Sequence, residues 1–344
     1  MKKKVAVAMS GGIDSSVVAY LLKEQGYDVL GITGKMLDSC NSDSIINNAK
    51  IVANYLGIEH YVIDVTQDFK NYVIDYFDNS YRIGKTPNPC IMCNKYIKWG
   101  EIFTYAFNKL NVDYIATGHY ANIKKVNGIY KLYPARDEKK DQLYFLFQLT
   151  QEQLSKTLFP LCSYEKKEIK EIALKNNLPL NSSKESQDIC FIQKPLNTKK
   201  YLFKKFNFKK GNFVDVATGK ILGTHDGYFQ YTIGQRKGIG IAAPEPLYVV
   251  DIDADKNIVY LGNKDANYKS CLKLEEYNLL EEYSTNEFEA LVKIRYNMQA
   301  VEANIKVEDK LIITFAEPVN AIAKGQACVI YDIDDGHLLG GGFI

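Results

Sequence analysis

The segment Ser10–Ser16, with the sequence SGGIDSS, carries residues whose types and spacing suit phosphate chemistry. It follows the apolar run 5–9 and precedes the helix-like run 17–23, so it lies where a strand turns into a helix. Adjacent glycines let the backbone approach an anion closely, and serine hydroxyls add donors to the free N–H groups and the positive dipole end of the helix. The pattern therefore predicts a phosphate-binding loop.

Asp14 is the acidic member of this loop. A carboxylate beside phosphates repels them unless it holds Mg²⁺ or caps the helix, so its presence indicates a metal-bridged nucleotide. The spacing differs from that of the GxxxxGK[ST] loop, and no lysine stands at its end. An ordinary Gly-Gly turn capped by serine is the alternative, which the aspartate and the serines directly after an apolar strand disfavour.

Cysteines form the second chemical signature. Cys90 and Cys93 make a Cys-x-x-Cys pair, and the two prolines before it predict an extended approach to a helix that begins near Asn94. A position near a helix N-terminus lowers the pKa of a thiol and favours the thiolate, which is the nucleophilic and metal-binding form. Two small buried residues are the alternative interpretation. Cys190 follows a polar loop in an apolar setting, which alone indicates a core residue.

Strands and helices must position these residues. Four apolar runs, at 5–9, 29–33, 60–65 and 114–117, alternate with helical patterns, one of which ends at Gly57. This repetition predicts a parallel sheet with helices on both faces, and ligands gather at the C-terminal ends of such strands. The residues expected at that edge are the loop, Met36, Gly118 and His119.

The rest of the chain changes character. Asn127-Gly128 predicts a hairpin turn between 120–126 and 129–133. The stretch 199–210 is dense in lysine and aromatic residues, including Phe208, and suits either a phosphate backbone or an amphipathic helix that leans its aromatic rings on a core. Short strands and turns follow to about 262, and strand patterns at 290–296, 301–307, 310–315 and 327–331 predict a closing β-barrel.

Composition sets limits on function. A length of 344 residues with 46% hydrophobic content predicts two or three domains, and a net charge of +2 argues against a uniformly basic nucleic-acid coat. Three lysines after Met1 precede only five apolar residues, and no apolar run of about 18 residues occurs, so we expect neither secretion nor a membrane span. Seven cysteines favour a cytoplasmic protein with reactive or metal-binding thiols.

Further motifs complete a set that runs in order along the chain. They are TPNPCIMCN at 86–94, ATGHYA at 116–121, KDQ at 140–142, ICF at 189–191, GTHDG at 223–227, YTIGQRKGIGI at 231–241 and GQ at 325–326. With the loop they resemble the bacterial tRNA-specific 2-thiouridylases, a family of the PP-loop ATP pyrophosphatase superfamily. The resemblance implies an α/β fold with an N-terminal parallel-sheet PP-loop domain at 1–196, a small β-rich tRNA-contacting domain at 197–265 and a C-terminal β-barrel at 266–344.

The resemblance also implies a reaction. ATP and Mg²⁺ would be held by Ala8, Met9, Ser10, Gly11, Gly12, Ile13, Asp14, Ser15, Met36 and Gly118. A wobble uridine, flipped out of the anticodon loop, would be adenylated on its C2 oxygen. Cys190 is similar to the residue that receives sulfur as a persulfide, and Cys93 to its partner. Either Cys93 releases hydrosulfide by forming a disulfide, or the persulfide attacks C2 directly.

Cys90 departs from the family pattern, because many members have an aspartate there. The proposed acid/base carboxylate is then missing, and the proton step is left unassigned. Three thiolates, from Cys90, Cys93 and Cys190, could instead ligate a 4Fe-4S cluster with one iron open to hydrosulfide. We expect this cluster or the persulfide route, with Cys40 or Cys162 as competing thiols.

Contacts with tRNA follow from the same resemblance. The residues concerned are Asn88, Pro89 and Cys90 at the target base, His119 and Gln326 around it, and Lys140, Asp141, Gln142, Arg295 and Tyr296 along the RNA. A cysteine desulfurase or a relay protein would donate the sulfur. Two other classes are weighed against this one: another PP-loop adenylating ligase would not need paired reactive cysteines, and a non-catalytic RNA-binding module would not need the ATP loop.

Overall fold

The computed structural model describes residues 2–179, 189–193, 195–206, 209–283 and 285–344. The first half of the chain contains β1 (Lys4–Ala8), α1 (Ile13–Glu24), β2 (Asp28–Lys35), α2 (Cys40–Leu56), β3 (His60–Asp64), α3 (Thr66–Phe69), α4 (Asp75–Arg82), α5 (Pro89–Met92), α6 (Phe103–Leu110), β4 (Tyr114–Ala116), β5 (Asn122–Val126), β6 (Ile129–Tyr133), α7 (Gln151–Ser155), β7 (Thr157–Leu158) and α8 (Lys166–Lys175). Wide π-type turns occupy Lys70–Ile74 and Cys93–Ile102, and a 3₁₀ turn occupies Leu143–Phe145.

The second half is rich in strands. It contains α9 (Thr198–Lys205), β8 (Gly211–Asp215), β9 (Ile221–His225), β10 (Tyr248–Asp253), β11 (Ile258–Gly262), β12 (Tyr268–Leu274), β13 (Tyr277–Leu279), β14 (Glu287–Lys293), β15 (Val301–Val307), β16 (Leu311–Asn320), β17 (Ala327–Tyr331) and β18 (Leu338–Phe343). Single 3₁₀ turns occupy Tyr228–Gln230 and Asp265–Asn267.

The chain divides into two compact units, and neither is continuous in sequence. The first unit comprises Met1–Val73, Cys90–Gln187 and Gly336–Leu338, and the second comprises Ile74–Pro89, Asp188–Asp335 and Leu339–Ile344. The three-domain division at 196 and 265 stays a prediction.

A parallel sheet forms the centre of the first unit, as the sequence predicts. Its strand order is β3-β2-β1-β4-β7, with Ala8 of β1 opposite Ile32 of β2. Val5 and Val7 are fully buried against a cluster built by α1, α2 and α8, because alternate residues of a strand point to one face. Each such valine contributes about 1.5–3 kcal/mol through burial.

Local signals fix the ends of these elements. Gly57 ends α2 in the left-handed conformation, with φ of +62°, which glycine adopts without steric penalty. Ser39 begins the same helix by accepting a hydrogen bond from the amide of Ser42. Asn127 and Gly128 both have positive φ at the predicted hairpin between β5 and β6. The helix and hairpin predictions are confirmed here.

Two sheets form the second unit. A four-stranded sheet has the order β10-β11-β8-β9, and a larger antiparallel, barrel-like sheet runs β12-β16-β15-β14-β17-β18, with β13 paired to β18. The core of the larger sheet contains the inward residues of the predicted strands, such as Val292, Ile305 and Ile313. The predicted C-terminal β-barrel is confirmed, and β12 and β18 are strands that the sequence patterns did not indicate.

Candidate nucleotide and thiol site

The loop Ser10–Ser16 turns tightly between β1 and α1. Gly11 has φ of +68°, and a Cβ there would meet Cβ of Asn48 at 2.6 Å, so only glycine fits. The Ser15 hydroxyl accepts a hydrogen bond from the amide of Ser10 at 3.2 Å and donates one to the carbonyl of Gly12 at 3.2 Å. Gly12 is the N-cap of α1 and has no side chain to occupy the first amides of the helix. The Ser16 hydroxyl also donates to the Gly12 carbonyl, at 2.8 Å, so the groups that the loop presents to an anion are mainly backbone amides.

Gly118 brings the end of β4 against this loop. A Cβ on Gly118 would lie 2.9 Å from Cβ of Asp14 and 3.2 Å from the amide nitrogen of Ser15, so the strand end touches the first turn of α1. Met36 directly follows β2, which pairs with β1, and so lies at the same edge of the sheet. The structure therefore brings together the loop, Gly118 and Met36, which the sequence placed at one edge.

Asp14 has partners that the sequence did not indicate. Both carboxylate oxygens accept hydrogen bonds from the Lys166 ammonium, at 2.8 and 2.7 Å, and the Tyr120 hydroxyl donates to Oδ1 at 3.0 Å. The Lys166 side chain is only 10% exposed, against 31% for Asp14. Asp14 can serve as an oxygen ligand for Mg²⁺, which takes one or two carboxylates together with phosphate oxygens, when the Lys166 ammonium moves away from it.

The cysteine pair lies at the start of a helix that begins slightly earlier than predicted, at Pro89. Cys90 is exposed and Cys93 is buried, three residues along the same helical segment. The expected lowering of the thiol pKa is wrong for Cys90. Protein packed around the sulfur raises the pKa of the Cys90 thiol, and the positive charge of Lys98 lowers it by a smaller amount. A position at the start of the helix therefore does not lower the pKa of Cys90 enough to offset the effect of burial.

His119 is buried beside the cysteine helix. Its Nδ1 lies 2.7 Å from the Thr117 hydroxyl, and its Nε2 lies 3.3 Å from the Lys98 ammonium. Because an ammonium can only donate, Nε2 accepts and Nδ1 carries the proton. Burial, and secondly the charge of Lys98, lower the pKa of His119 well below its ordinary value. The ring also packs against Trp99, with centroids 5.3 Å apart. His119 is therefore a neutral, oriented imidazole.

The predicted RNA-contacting segment Lys140–Gln142 is tied to the strand end that carries His119. Gln142 accepts a hydrogen bond from the amide of Tyr120 at 3.0 Å and returns one from its own amide to the Tyr120 carbonyl at 2.9 Å. Asp141 accepts from the amides of Ala135 and Leu143, each at 3.2 Å. These side chains hold the loop, and Tyr120 links that loop to Asp14.

In the second unit, Gln326 lies against the segment that leads to Asn88 and Pro89. Its amide donates to the carbonyl of Thr86 at 2.7 Å, and the Thr86 amide donates to the carbonyl of Lys324 at 2.8 Å. The predicted residue Gln326 therefore holds the segment that directly precedes Asn88 in the sequence.

Arg295 holds the glycine-rich segment 231–241. One guanidinium nitrogen donates to the carbonyl of Ile233 at 2.6 Å and to that of Ala321 at 2.7 Å. A Cβ on Gly234 would meet Cβ of Ala321 at 2.2 Å, so the two segments pack very closely. Tyr296, the next predicted residue, is half-buried. The two carbonyl contacts of Arg295 had no sequence signal, and its predicted contact with RNA stays a prediction.

Cys190 belongs to the second unit and is exposed there. The next residue, Phe191, is buried with its ring 5.2 Å from that of Phe77 and 5.9 Å from that of Tyr201 of α9. Lys205 of α9 pairs with the buried carboxylate of Asp78. The basic and aromatic segment is thus an amphipathic helix with rings on a core, and it keeps exposed lysines. Residues 186–188 and Phe208 lie outside the described residues.

Across the part of the chain that the structure describes, every helix is too short or too polar to cross a bilayer.

Family models match the chain in three consecutive segments. A tRNA methyl transferase HUP domain matches residues 3–194, a tRNA methyl transferase PRC-barrel domain matches 199–263, and an aminomethyltransferase beta-barrel domain matches 269–344. Together they span nearly the whole chain.

Curated relatives match over the full length. The tRNA-specific 2-thiouridylase MnmA of Clostridium kluyveri is 44% identical over 100% of this chain and 99% of its own, and that of Clostridium acetobutylicum is 46% identical over 100% of both. A solved U34-tRNA thiolase NcsA from Methanococcus maripaludis, which holds a [4Fe-4S] cluster, is 23% identical over 54% of this chain and 60% of that chain, with a TM-score of 0.37. That likeness is too low to bear on the cysteine chemistry.

Proposed function

Since this chain belongs to the tRNA-specific 2-thiouridylase MnmA family, we propose that it uses ATP to replace the C2 oxygen of a wobble uridine in tRNA by sulfur. It is a tRNA sulfurtransferase. The main structural support for an ATP site in this chain is the contact of Gly118 with Asp14 and Ser15 at the N-terminus of α1. That contact brings a second strand end beside the loop Ser10–Ser16, an arrangement that supports a nucleotide site at this edge of the sheet.

ATP would bind along this edge. The proposed contacts are Ala8, Met9, Ser10, Gly11, Gly12, Ile13, Asp14, Ser15, Met36 and Gly118. Asp14 would hold Mg²⁺ together with phosphate oxygens, and the ion would neutralise phosphate charge when bound. Amides of α1 would orient the α-phosphate toward the uridine, and the Ser15 hydroxyl would hold the shape of the loop through its bonds to Ser10 and Gly12.

Adenylation activates the base. The C2 oxygen attacks the α-phosphorus, the bond to the bridging oxygen breaks, and pyrophosphate departs with the electron pair. AMP is then attached to C2 and becomes the leaving group for sulfur. His119 would orient the base as a neutral hydrogen-bonding group, since burial keeps its pKa below the physiological range.

Sulfur transfer would use Cys190 and Cys93. A cysteine desulfurase or a relay protein would load Cys190 as a persulfide. In one route the terminal sulfur attacks C2 and expels AMP, which leaves C2 joined to Cys190 through an S–S bond; Cys93 then attacks the Cys190 sulfur, the S–S bond breaks and 2-thiouridine departs. In the other route Cys93 first attacks the Cys190 sulfur and releases hydrosulfide, which attacks C2 and expels AMP. Both routes end in a disulfide between Cys93 and Cys190, which a cellular thiol must reduce. The exposure of Cys190 suits loading by another protein.

A 4Fe-4S cluster is the other form of the proposal. Cys90 and Cys93 are three residues apart in one helical segment, a spacing that can supply two thiolates to one cluster, and Cys190 would be the third ligand. A bound cluster would supply an iron site that activates sulfide. The raised pKa of Cys90 means that this thiol is mostly protonated without a metal, so cluster binding would release its proton.

The remaining assignments concern tRNA. Asn88, Pro89 and Cys90 would face the target base with His119 and Gln326, whereas Lys140, Asp141, Gln142 and Tyr296 would lie along the RNA. Arg295 would act through the glycine-rich segment that it holds. We also propose the domain division 1–196, 197–265 and 266–344, and a cytoplasmic location where tRNA and sulfur donors meet.

Product analysis tests the adenylation step. Wild-type protein with ATP, Mg²⁺, tRNA and sulfide should form AMP, pyrophosphate and 2-thiouridine in equal amounts. Asp14→Asn should abolish all three products while tRNA binding survives, and Asp28→Asn, at an exposed carboxylate, is the control. Release of ADP and phosphate, or thiolation without ATP, would refute the proposal.

Anaerobic reconstitution separates the two sulfur routes. The cluster route expects about four irons per chain and loss of both iron and thiolation in Cys90→Ser. Cys40→Ser, at another exposed cysteine of the first unit, should change neither. Full activity of iron-free protein with a persulfide donor would eliminate the cluster route and leave Cys93 and Cys190.

A further inference from the structure

We propose that Lys166 binds the β- and γ-phosphates of ATP, and that it exchanges its ion pair with Asp14 for the nucleotide when Mg²⁺ and ATP bind. This inference rests on the proposed function and deepens it. The loop Ser10–Ser16 contains no lysine, yet it must receive a triphosphate with several negative charges. Lys166, from a distant part of the sequence, supplies the positive charge that the loop itself lacks.

The position of the ammonium supports this role. Lys166 Nζ lies 2.8 Å and 2.7 Å from the two oxygens of Asp14, a residue in the first turn of α1. The first turn of α1 carries the amides proposed to bind phosphate, so the Lys166 ammonium lies close to the proposed phosphate site, with the Asp14 carboxylate between them. Its side chain is nearly buried, so its charge acts with little solvent screening.

The backbone of Lys166 is held while its side chain can move. Lys166 is the first residue of α8, its amide donates to Asp137 at 2.9 Å, and a capping box between Glu165 and Glu168 fixes the helix start. A lysine side chain has a flexible four-carbon stem, so Nζ can shift from the carboxylate to a phosphate without moving the helix. Tyr120, which also donates to Asp14, would hold the carboxylate in place during the exchange.

The exchange fits the charges of the reaction. Before ATP binds, Lys166 neutralises Asp14. Asp14 would hold Mg²⁺ in the nucleotide complex, which would leave the Lys166 ammonium available for the phosphates. As the bond from the α-phosphorus to the bridging oxygen breaks, the leaving pyrophosphate gains negative charge, and Lys166 would stabilise that charge without giving up a proton.

Equilibrium binding tests the proposal on the full chain. The probes are α,β-methylene-ATP, which resists cleavage, and AMP, which lacks the outer phosphates. Lys166→Met should raise the Kd for the triphosphate about 10- to 100-fold, since a hydrogen bond to a charged group is lost, and leave the Kd for AMP nearly unchanged. Lys166→Arg should recover part of the affinity. Lys167→Met is the matched control, because that neighbour is 84% exposed and pairs with Glu171.

Two outcomes would overturn the inference. Equal weakening of both nucleotides would make Lys166 a structural residue that only shapes the loop, and unchanged triphosphate binding would give it no role. If Lys166→Met unfolds because Asp14 is left without its ammonium, the double variant Asp14→Asn with Lys166→Met removes both charges. That variant should fold and bind the triphosphate more weakly than Asp14→Asn alone does, and equal triphosphate affinity of the two would overturn the inference. Wild-type protein that binds no triphosphate would instead refute the proposed function itself.

Discussion

Acidification should destabilise the first unit through His119. Burial and the charge of Lys98 lower the pKa of this imidazole in the folded protein, whereas in the unfolded chain it titrates near 6.5. Below pH 6.5 the unfolded state therefore binds one proton more than the folded state, so the free energy of unfolding falls as the pH falls. The loss approaches about 1.4 kcal/mol per pH unit until the folded-state pKa is reached. Above pH 7 the stabilisation is fully present.

Trp99 provides the assay, because it is the single tryptophan, it is buried, and its ring lies 5.3 Å from that of His119. Urea unfolding followed by its fluorescence at pH 7, 6 and 5 gives the free energy of unfolding as a function of pH. His119→Gln removes the titrating group, so its slope against pH should be smaller than that of wild type by about 1.4 kcal/mol per pH unit toward pH 5. Carboxylates titrate in both proteins and cancel in this difference.

His60 provides a comparison within the same unit. Its pKa is also lowered by burial and by Lys50, but it is only partly buried and its shift is smaller. His60→Gln should therefore change the slope less than His119→Gln does. Parallel curves for wild type and His119→Gln between pH 7 and 5 would show that His119 titrates normally, and the account of a neutral buried imidazole would fail.

Three substitutions test other contacts. Gly118→Ala should lower the free energy of unfolding by about 1–3 kcal/mol, because the added Cβ would lie 2.9 Å from Cβ of Asp14 and 3.2 Å from the amide nitrogen of Ser15; an unchanged urea midpoint would contradict this. Thr157→Val should lower the free energy of unfolding by about 1–3 kcal/mol, because the buried Trp99 N–H loses its acceptor at 2.9 Å, and Thr157→Ser should restore it in urea titrations. Arg295→Met should weaken tRNA binding without changing the slope of the logarithm of the tRNA association constant against the logarithm of the salt concentration. Lys200→Met, at an exposed lysine, should reduce the magnitude of that slope by about one. A reduced slope for Arg295→Met would indicate a direct contact of Arg295 with phosphate.

Much of the first unit was predictable because its signals are local. Apolar runs indicated the strands β1 to β4, the positive φ of Gly57 matches its predicted role as a helix end, and Gly11 of the loop lies where backbone atoms of residues 45 and 49 leave no room for a side chain. Parallel strands then bring Met36 and Gly118 to the edge that carries the loop. Periodicity and turn chemistry suffice for such features.

Tertiary contacts explain what the sequence did not indicate. Lys166 lies 152 residues from Asp14, in a helix with the sequence KKEIKEIALK that resembles an ordinary solvated one. The strand β18 is rich in glycine, a poor strand former, yet Cβ atoms on Gly340 and Gly342 would lie within 2.4 Å of carbonyl oxygens at Asn278 and Glu276. Only glycine fits at these two positions because β18 approaches the backbone at and next to β13 so closely. This contact is between distant parts of the sequence, so no local sequence pattern predicts it.

The discontinuity of the two units has a consequence for synthesis on the ribosome. Gly336–Leu338 belongs to the first unit, and Ile74–Pro89 belongs to the second, although each is separated in sequence from the rest of its unit. A nascent chain can therefore form the parallel sheet early, but it cannot complete the first unit until residue 338 has emerged. Residues 74–89 pack with residues of the second unit, from 188 onward, which are translated later, so they cannot reach their native contacts before then. We therefore expect fragments that end near residue 195 to be trapped by chaperones rather than to fold as an independent enzyme core.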